Sequence, residues 1–448
     1  MPPLLLLRKR RAPILELSPP AVLVLSYAAL VLVGTLLLRL PLAYHGGAEW
    51  MTALFTAASA VTVTGLSVAD TGTHFTLFGQ IVILILIQLG GLGFMTVAAF
   101  LLSLLGMRMP VRQQIVLGED LNRTDLGGLL GLVGMIFRVV ALFELAGAAC
   151  LAVSFVPREG WAAGLWSSLF HAVSAFNNAG FSLYPDSLAR FAGDPVVNVT
   201  VPALLIIGGL GFSVLADLWE ERRWRTLTIH SKLMLTGTAG LIVASVALFA
   251  LLEWTNPDTL GQLAPGARIW ASWFQGVTTR TAGFSTVDIA RLRDPTALTM
   301  IVEMLIGAGS TSTGGGVKVT TFMVLALATI AFLKGRETIV IFGRSLGPEE
   351  VLKALALAML FVAVFTGALF VLLVADKIPF LDLAFETASA LGTVGLSRGA
   401  TGDFHMTGRI VIILVMFIGR VGPLSLGFFL GRRVVPRIGY PSAKVYLG

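Results

Sequence analysis

The sequence predicts an all-α polytopic membrane protein. It would hold four tandem helix–hairpin–helix repeats, with eight spanning helices and four re-entrant loops around a pseudo-fourfold axis. Three observations lead there. Apolar residues fill 56% of 448 positions and charged residues only 13%, about half the charged share of a soluble chain. Many apolar runs have the length needed to cross a bilayer. A Gly-Leu/Phe-Ser mark also occurs four times, at Gly65-Leu66-Ser67, Gly180-Phe181-Ser182, Gly283-Phe284-Ser285 and Gly395-Leu396-Ser397. Each mark follows a segment too short to span and precedes a long apolar run, which makes an internal repeat the first organising fact.

The elements follow in chain order. A basic segment over 1–19 precedes repeat 1 (20–125), which runs from an apolar stretch over 20–40 through a short amphipathic segment over 50–60 to a second apolar stretch over 75–105. Repeat 2 (126–225) has the same parts at 130–156, 162–180 and 197–218. In repeat 3 (226–345) they fall at 229–254, 268–283 and 297–333, and in repeat 4 (346–433) at 351–374, 379–395 and 408–431, before a tail over 434–448. Ten residues before the terminal glycines stand Phe55, Phe170, Trp273 and Phe385. Six before stand Ser59, Ser174, Val277 and Ser389, so the third copy departs. Further on, each second apolar stretch carries a glycine-rich break: Gly90-Gly91-Leu92-Gly93, Gly208-Gly209-Leu210-Gly211, Gly307-Ala308-Gly309 and Gly419-Arg420-Val421-Gly422. Two motifs in register across four copies exclude coincidence.

Charge placement gives the topology. The basic clusters Arg8 to Arg11, Arg222-Arg223-Trp224-Arg225, Lys334-Gly335-Arg336 and Arg432, Arg433, Arg437 and Lys444 fall on one side when the chain crosses an even number of times between them. The positive-inside rule makes that side cytoplasmic, with both termini there, in a plasma (inner) membrane. Opposite loops carry Glu49, Asp70, Asp186, Asp194, Asp258 and Asp403. The net charge of +7 is accounted for by these juxtamembrane clusters, so nucleic-acid binding is not needed. Cys150 is the single cysteine, so no disulfide forms within the chain, and it reads as a small packing residue. No cleavable signal is expected, so the first helix stays. His45, His74, His171, His230 and His405 lack metal-ligand spacing, and no catalytic constellation stands out, so no enzyme is expected.

About ten helical residues reach roughly 15 Å, halfway through a core of about 30 Å. The short segments must therefore enter and leave on one face, and irregular backbone at that depth is tolerated where it lines water or protein. A cation leaving water needs oxygens, and backbone carbonyls supply them without a competing fixed charge. Glycine permits the conformations that aim successive carbonyls at one axis. The candidate potassium-binding residues are Thr62, Val63, Thr64 and Gly65; Asn177, Asn178, Ala179 and Gly180; Arg280, Thr281, Ala282 and Gly283; and Gly392, Thr393, Val394 and Gly395. Their side chains are expected to face the surrounding wall. Inward-pointing helix carboxyl ends would add negative potential.

Several residues stand out beside this pattern. Arg280 is expected to turn outward and pair with Glu303 or Asp288, and Arg398 to lie on the surface of the outer vestibule. Arg138 and Glu144 read as framework groups. The candidate gate in repeat 3 comprises Gly307, Gly309, Ser310, Thr311, Ser312, Thr313, Gly314, Gly315, Gly316 and Lys318, because so many glycines and hydroxyls cannot hold a lipid-facing helix. Lys318 is either a second cavity charge or a residue that snorkels toward the cytoplasm. Arg420, in the matching break of repeat 4, is expected to face a cavity or an acidic partner and to act as an electrostatic plug.

These residues resemble the Trk/Ktr/HKT superfamily of potassium transporters, and within it the KtrB-type membrane subunit. The resemblance rests on Ala60-Val61-Thr62-Val63-Thr64-Gly65-Leu66, Phe176-Asn177-Asn178-Ala179-Gly180-Phe181, Arg280-Thr281-Ala282-Gly283-Phe284, Ser312-Thr313-Gly314-Gly315-Gly316-Val317-Lys318-Val319 and Gly419-Arg420-Val421-Gly422-Pro423. It implies potassium as the transported ion, sodium as an activator and no organic cofactor. It also implies a homodimer in the lipid bilayer, with one pore per protomer, and regulation by a cytoplasmic ring of nucleotide-binding subunits. The chain has no Gly-rich dinucleotide fingerprint after a predicted strand, so nucleotide control would need that partner. Its available surfaces are the loops over 222–232 and 334–344 and the tail near Arg432. The rival readings are a broken-helix secondary transporter of another cation or small solute, and a membrane-embedded enzyme.

Overall fold

The computed structural model describes residues 19–47, 49–93, 96–97, 99–100, 129–336 and 338–422. The amino-terminal basic cluster, most of the linker between repeats 1 and 2, and the tail with Arg432, Arg433, Arg437 and Lys444 lie outside the described residues.

Each repeat opens with a helix long and apolar enough to cross a bilayer. The described helices are α1 (Pro19–Leu38), α5 (Leu129–Glu159), α9 (Ile229–Glu253) and α13 (Pro348–Ala375). Each is followed by a shorter, largely buried helix: α2 (Trp50–Val61), α6 (Trp161–Phe176), α10 (Pro265–Thr278) and α14 (Phe380–Gly392). Repeat 1 then adds the one-turn α3 (Thr71–His74). The third part of each repeat is α4 (Leu77–Leu92), α7 (Pro195–Leu210), α11 (Asp294–Leu305) or α15 (Met406–Val421). Helix starts carry the expected chemistry. Thr76 accepts from the Gly79 N–H, Asp194 from those of Val196 and Val197, and Thr228 from that of Ser231, satisfying amides a first turn leaves open.

The second apolar stretches are not continuous helices in any repeat. α4, α7 and α15 stop at Gly93, Gly211 and Gly422, whose φ values are 81°, 98° and 87°. Those left-handed values suit glycine and end the helical ladder. In repeat 2 the chain resumes as α8 (Phe212–Glu221) at 93° to α7, so the expected single run over 197–218 is an elbow. In repeat 3 a loop separates α11 from α12 (Val319–Leu333). A small antiparallel hairpin, β1 (Ile339–Ile341) with β2 (Arg344–Leu346), leads on to α13.

Other glycines let the third helices approach the short ones. A Cβ on Gly90, Gly208 or Gly419 would stand 2.0, 1.9 or 2.2 Å from the carbonyl oxygens of Val61, Phe176 and Leu391, each four residues before a terminal glycine. Phe55, Phe170 and Phe385 are fully buried in the short helices, but in repeat 3 the buried ring is Phe274. Trp273, the residue at the expected spacing, is only partly buried and donates its indole N–H to the Asn198 carbonyl at 3.1 Å. The pattern of repeat 3 has slipped by one residue. Cys150, read from sequence as a packing residue, is exposed on α5.

Candidate cation filter and its closing loop

The short helices α2, α6, α10 and α14 end where the four terminal glycines meet, and these close into a ring. A Cβ on Gly65 would lie 2.4 Å from the Ala179 oxygen, one on Gly180 2.9 Å from Ala282, one on Gly283 2.5 Å from Val394, and one on Gly395 2.1 Å from Thr64. Each glycine thus faces the carbonyl preceding the glycine of the next repeat, and the fourth faces the first. All four glycines have positive φ, between 69° and 94°. Two residues earlier stand Val63, Asn178, Thr281 and Thr393, with φ of 56°, 58°, 61° and 50°. Left-handed backbone recurs at this position in all four segments; it is strained, at on the order of 1–3 kcal/mol each, at the β-branched Val63, Thr281 and Thr393, while Asn178 tolerates it better. Alternating handedness is what turns successive carbonyls to one side.

The side chains are held by the wall. Thr62 Oγ1 donates to the Ala58 carbonyl at 2.7 Å and lies 2.8 Å from Thr64 Oγ1. Asn177 Nδ2 donates to Gln88 Oε1 at 2.7 Å and to Glu144 Oε1 at 3.1 Å, which makes Glu144 a framework group of the second segment. Asn178 Nδ2 reaches Thr281 Oγ1 at 3.3 Å, linking segments two and three. Ser59 and Ser389 accept from the N–H groups of Gly65 and Gly395 at 3.0 Å, and Ser174 donates to the Phe181 carbonyl at 2.8 Å. In repeat 3 Thr278, one residue past Val277, donates to the Phe284 carbonyl at 2.6 Å.

On one side of the ring lies an open cavity of about 480 Å³, lined by the four glycines together with Asp70, Asp186 and Asp288. On the other side lies the glycine-rich loop. Thr313 Oγ1 donates to the Phe176 carbonyl at 3.2 Å and to Asn178 Oδ1 at 3.3 Å, and the Gly315 N–H donates to Thr393 Oγ1 at 3.0 Å. A Cβ on Gly314 would stand 2.2 Å from Thr281 Oγ1. The Gly309 N–H donates to the Gly209 carbonyl at 2.8 Å, the Phe212 N–H donates to the Thr311 carbonyl at 3.0 Å, and Ser312 Oγ donates to the Gly309 carbonyl at 2.7 Å. Thr311 and Gly316 take positive φ of 57° and 72°, and Ser310 abuts Gly211 through its carbonyl. The loop therefore touches the candidate filter segments of repeats 2, 3 and 4.

Three cationic side chains bind its carbonyls. Arg420 donates to the Thr313 carbonyl and to those of Gly90 and Gly91, which brings in repeat 1. Its partners are carbonyls rather than an acid among the described residues, and the side chain is only partly buried. Lys318 Nζ donates to the Gly314 carbonyl at 2.8 Å and so does not snorkel away. Arg280 Nη2 donates to the Gly307 carbonyl at 3.3 Å. Of the two acids expected beside Arg280, Glu303 interacts with it through space without an ion pair within 4 Å among the described residues, and Asp288 pairs instead with Arg291 at 3.1 Å.

Arg398 is also not the surface residue expected. Its side chain is 11% exposed and pairs with Asp382 at 2.6 Å and Asp294 at 3.9 Å. Its backbone N–H donates to Glu386 Oε1 at 2.9 Å, and Glu386, fully buried in α14, also accepts from Ser397 and Thr401 at 2.6 Å. The cluster clamps the chain just after Gly395 onto repeat 3. Sequence reading missed Glu386, because a lone carboxylate in a short helix carries no spacing signal until its hydroxyl partners fold back onto it.

Residues 28–431 match the TrkH family of cation transport proteins. The chain is 45% identical over 431 residues to the Ktr system potassium uptake protein B of Bacillus subtilis, covering 96% of this chain and 97% of that one. It is 44% identical to the protein of the same name in Vibrio alginolyticus, over 96% and 95% of the two chains. It is 37% identical to the potassium/sodium uptake protein NtpJ of Enterococcus hirae, over 97% and 98%. The crystal structure of the potassium transporter TrkH from Vibrio parahaemolyticus superposes with a TM-score of 0.74 at 20% identity, covering 94% of this chain and 87% of that one, and shows the same fold. The chain is a multi-pass membrane protein and belongs to the TrkH family of cation transport proteins.

Proposed function

We propose that this chain takes up potassium across the plasma membrane through the ring at Gly65, Gly180, Gly283 and Gly395. The observation that carries the reading is the closed order of that ring, in which each glycine abuts a carbonyl of the next repeat. Such carbonyls replace the hydration shell of a bare cation, and the helix carboxyl ends beside them favour positive charge. The relatives named for potassium uptake, at 45% and 44% identity, support potassium as the ion. The sixteen filter residues named from sequence act mainly through backbone oxygens, and the repeats run over 20–125, 126–225, 226–345 and 346–433.

The loop over 307–318, held by Arg420 and Lys318, is the gate. Both termini are cytoplasmic, two chains form a homodimer, and a nucleotide-binding subunit acts from the cytoplasmic side. Exposed Arg222, Arg223, Arg225, Lys334 and Arg344 offer that subunit a basic surface, on which Trp224 packs edge-on against Phe342 with ring centroids 6.2 Å apart. The Enterococcus relative's name, potassium/sodium uptake protein, supports sodium as a second ion of the cycle.

Rubidium uptake by protein in liposomes tests the reading. Gly65→Ser puts a Cβ against the Ala179 carbonyl and is expected to weaken the preference for potassium over sodium, and deleting 311–315 is expected to raise flux. Uptake indifferent to both changes would overturn the proposal.

A further inference from the structure

The third candidate filter segment is braced differently from the other three, because Val277 replaces the serine found at that spacing in repeats 1, 2 and 4. Behind it lies a cavity of about 10 Å³ whose polar lining is Ser245, Gln275, Thr279, Thr296, Thr299 and Glu303, closed off by the apolar side chains of three further residues. That is about the volume a single water needs. Gln275 is fully buried, and neither its Nε2 nor its Oε1 has a partner among the described residues. A buried amide in that state is costly unless something in the cavity answers it. The hydroxyl protons of Thr296 and Thr299 are committed elsewhere, to Glu253 Oε1 at 2.5 Å and to the Pro295 carbonyl at 2.8 Å. Both threonines therefore meet the cavity with lone pairs.

The lining thus combines oxygen acceptors with the N–H donors of one amide. A bare cation fits it poorly, since it would meet the Gln275 NH₂ and stand near Arg280, the residue that follows Thr279. Water fits on both counts, accepting from Nε2 and donating to two oxygens.

We propose that one water molecule bound between Gln275 and Glu303 positions the third filter segment, and that these two positioning residues thereby help set the preference for potassium over sodium. Thr279 caps α10 and lines the same cavity. Arg280 follows it and ties the segment to the Gly307 carbonyl. Thr281, held at φ 61°, comes next. A shift behind Thr279 would therefore change the spacing of carbonyls in a ring whose members touch in sequence. The inference rests on the proposed potassium filter.

The test uses the full chain in liposomes, with potassium and sodium competing against rubidium uptake, together with thermal unfolding and a cryo-EM map fine enough to show waters. Gln275→Leu keeps the side-chain volume and removes both unpaired atoms. It is expected to lower the potassium preference about fivefold or more with no loss of thermal stability, and to empty the cavity of the water density seen in the unaltered protein. Glu303→Gln, which replaces an acceptor with a donor, is expected to lower the preference as well and serves as the readout if Gln275→Leu folds poorly. A stable Gln275→Leu protein with unchanged preference would overturn the inference. So would a dry cavity in the unaltered protein, or thallium signal inside it. An unaltered protein without potassium preference would instead sink the filter reading itself, and this inference with it.

Discussion

Arg280, Lys318 and Arg420 each donate to a carbonyl of the same glycine-rich loop, at Gly307, Gly314 and Thr313. A cationic side chain at membrane depth is costly without partners, and here the loop backbone supplies them. The charges therefore hold the loop, and on the proposed reading they oppose cation passage at once. Replacing Arg420 with Gln removes the charge and weakens the bonds to Gly90 and Gly91. The expected outcome is rubidium flux raised about tenfold, a barrier lower by about 1.4 kcal/mol, measured in liposomes at fixed potential. At this scale the sequence disclosed which residues mattered but not their partners. Arg420 and the loop were legible as charges and glycines in an apolar run. That Arg420 would bind carbonyls rather than an acid was hidden, because the Thr313, Gly90 and Gly91 carbonyls lie at least 107 residues away in sequence and only folding brings them to it.

At the scale of the element, three third-helix glycines set how closely repeats 1, 2 and 4 pack. Gly208→Ala would put a Cβ 1.9 Å from the Phe176 carbonyl and 3.0 Å from Thr313 Oγ1, so either α7 or the loop must move. Overpacking of this kind costs about 1–3 kcal/mol, and thermal unfolding in detergent should show a lower midpoint than for Gly209→Ala, where the nearest atom is 3.3 Å away. The repeat itself was legible because glycine spacing survives in sequence. The one-residue slip in repeat 3 was not. Trp273 and Phe274 are both aromatic, and only burial decides which takes the place of Phe55. The elbow between α7 and α8 was likewise hidden, since apolar composition continues across Gly211 while the backbone turns.

On the scale of the whole molecule, the four repeats are bound by contacts that close on themselves. The glycine ring runs from repeat 1 to 4 and back, and the loop of repeat 3 reaches segments 2, 3 and 4, with Arg420 carrying the link to repeat 1. Of the acids around the cavity beyond the ring, Asp288 is paired with Arg291 at 3.1 Å, and an acid left without such a partner is the one expected to draw cations there. Asp70 lines it and makes no ion pair among the described residues, whereas Asp186 is paired with Arg190 at 2.7 Å. Asp70→Asn keeps a competent helix cap and removes the charge. Uptake should fall a few-fold at low ionic strength and recover near 1 M salt, where the screening length is about 3 Å. An equal loss at both salt concentrations would point to structural damage instead.

On the proposed reading, the four-glycine ring selects potassium without help from any partner. Calorimetry on the purified, partner-free chain tests it most directly by comparing potassium with sodium binding in the unaltered protein and in Gly65→Ser. Potassium is expected to bind at least about tenfold tighter than sodium, a difference of about 1.4 kcal/mol that collapses in Gly65→Ser. Equal affinities in the unaltered protein, or a preference untouched by the substitution, would contradict it.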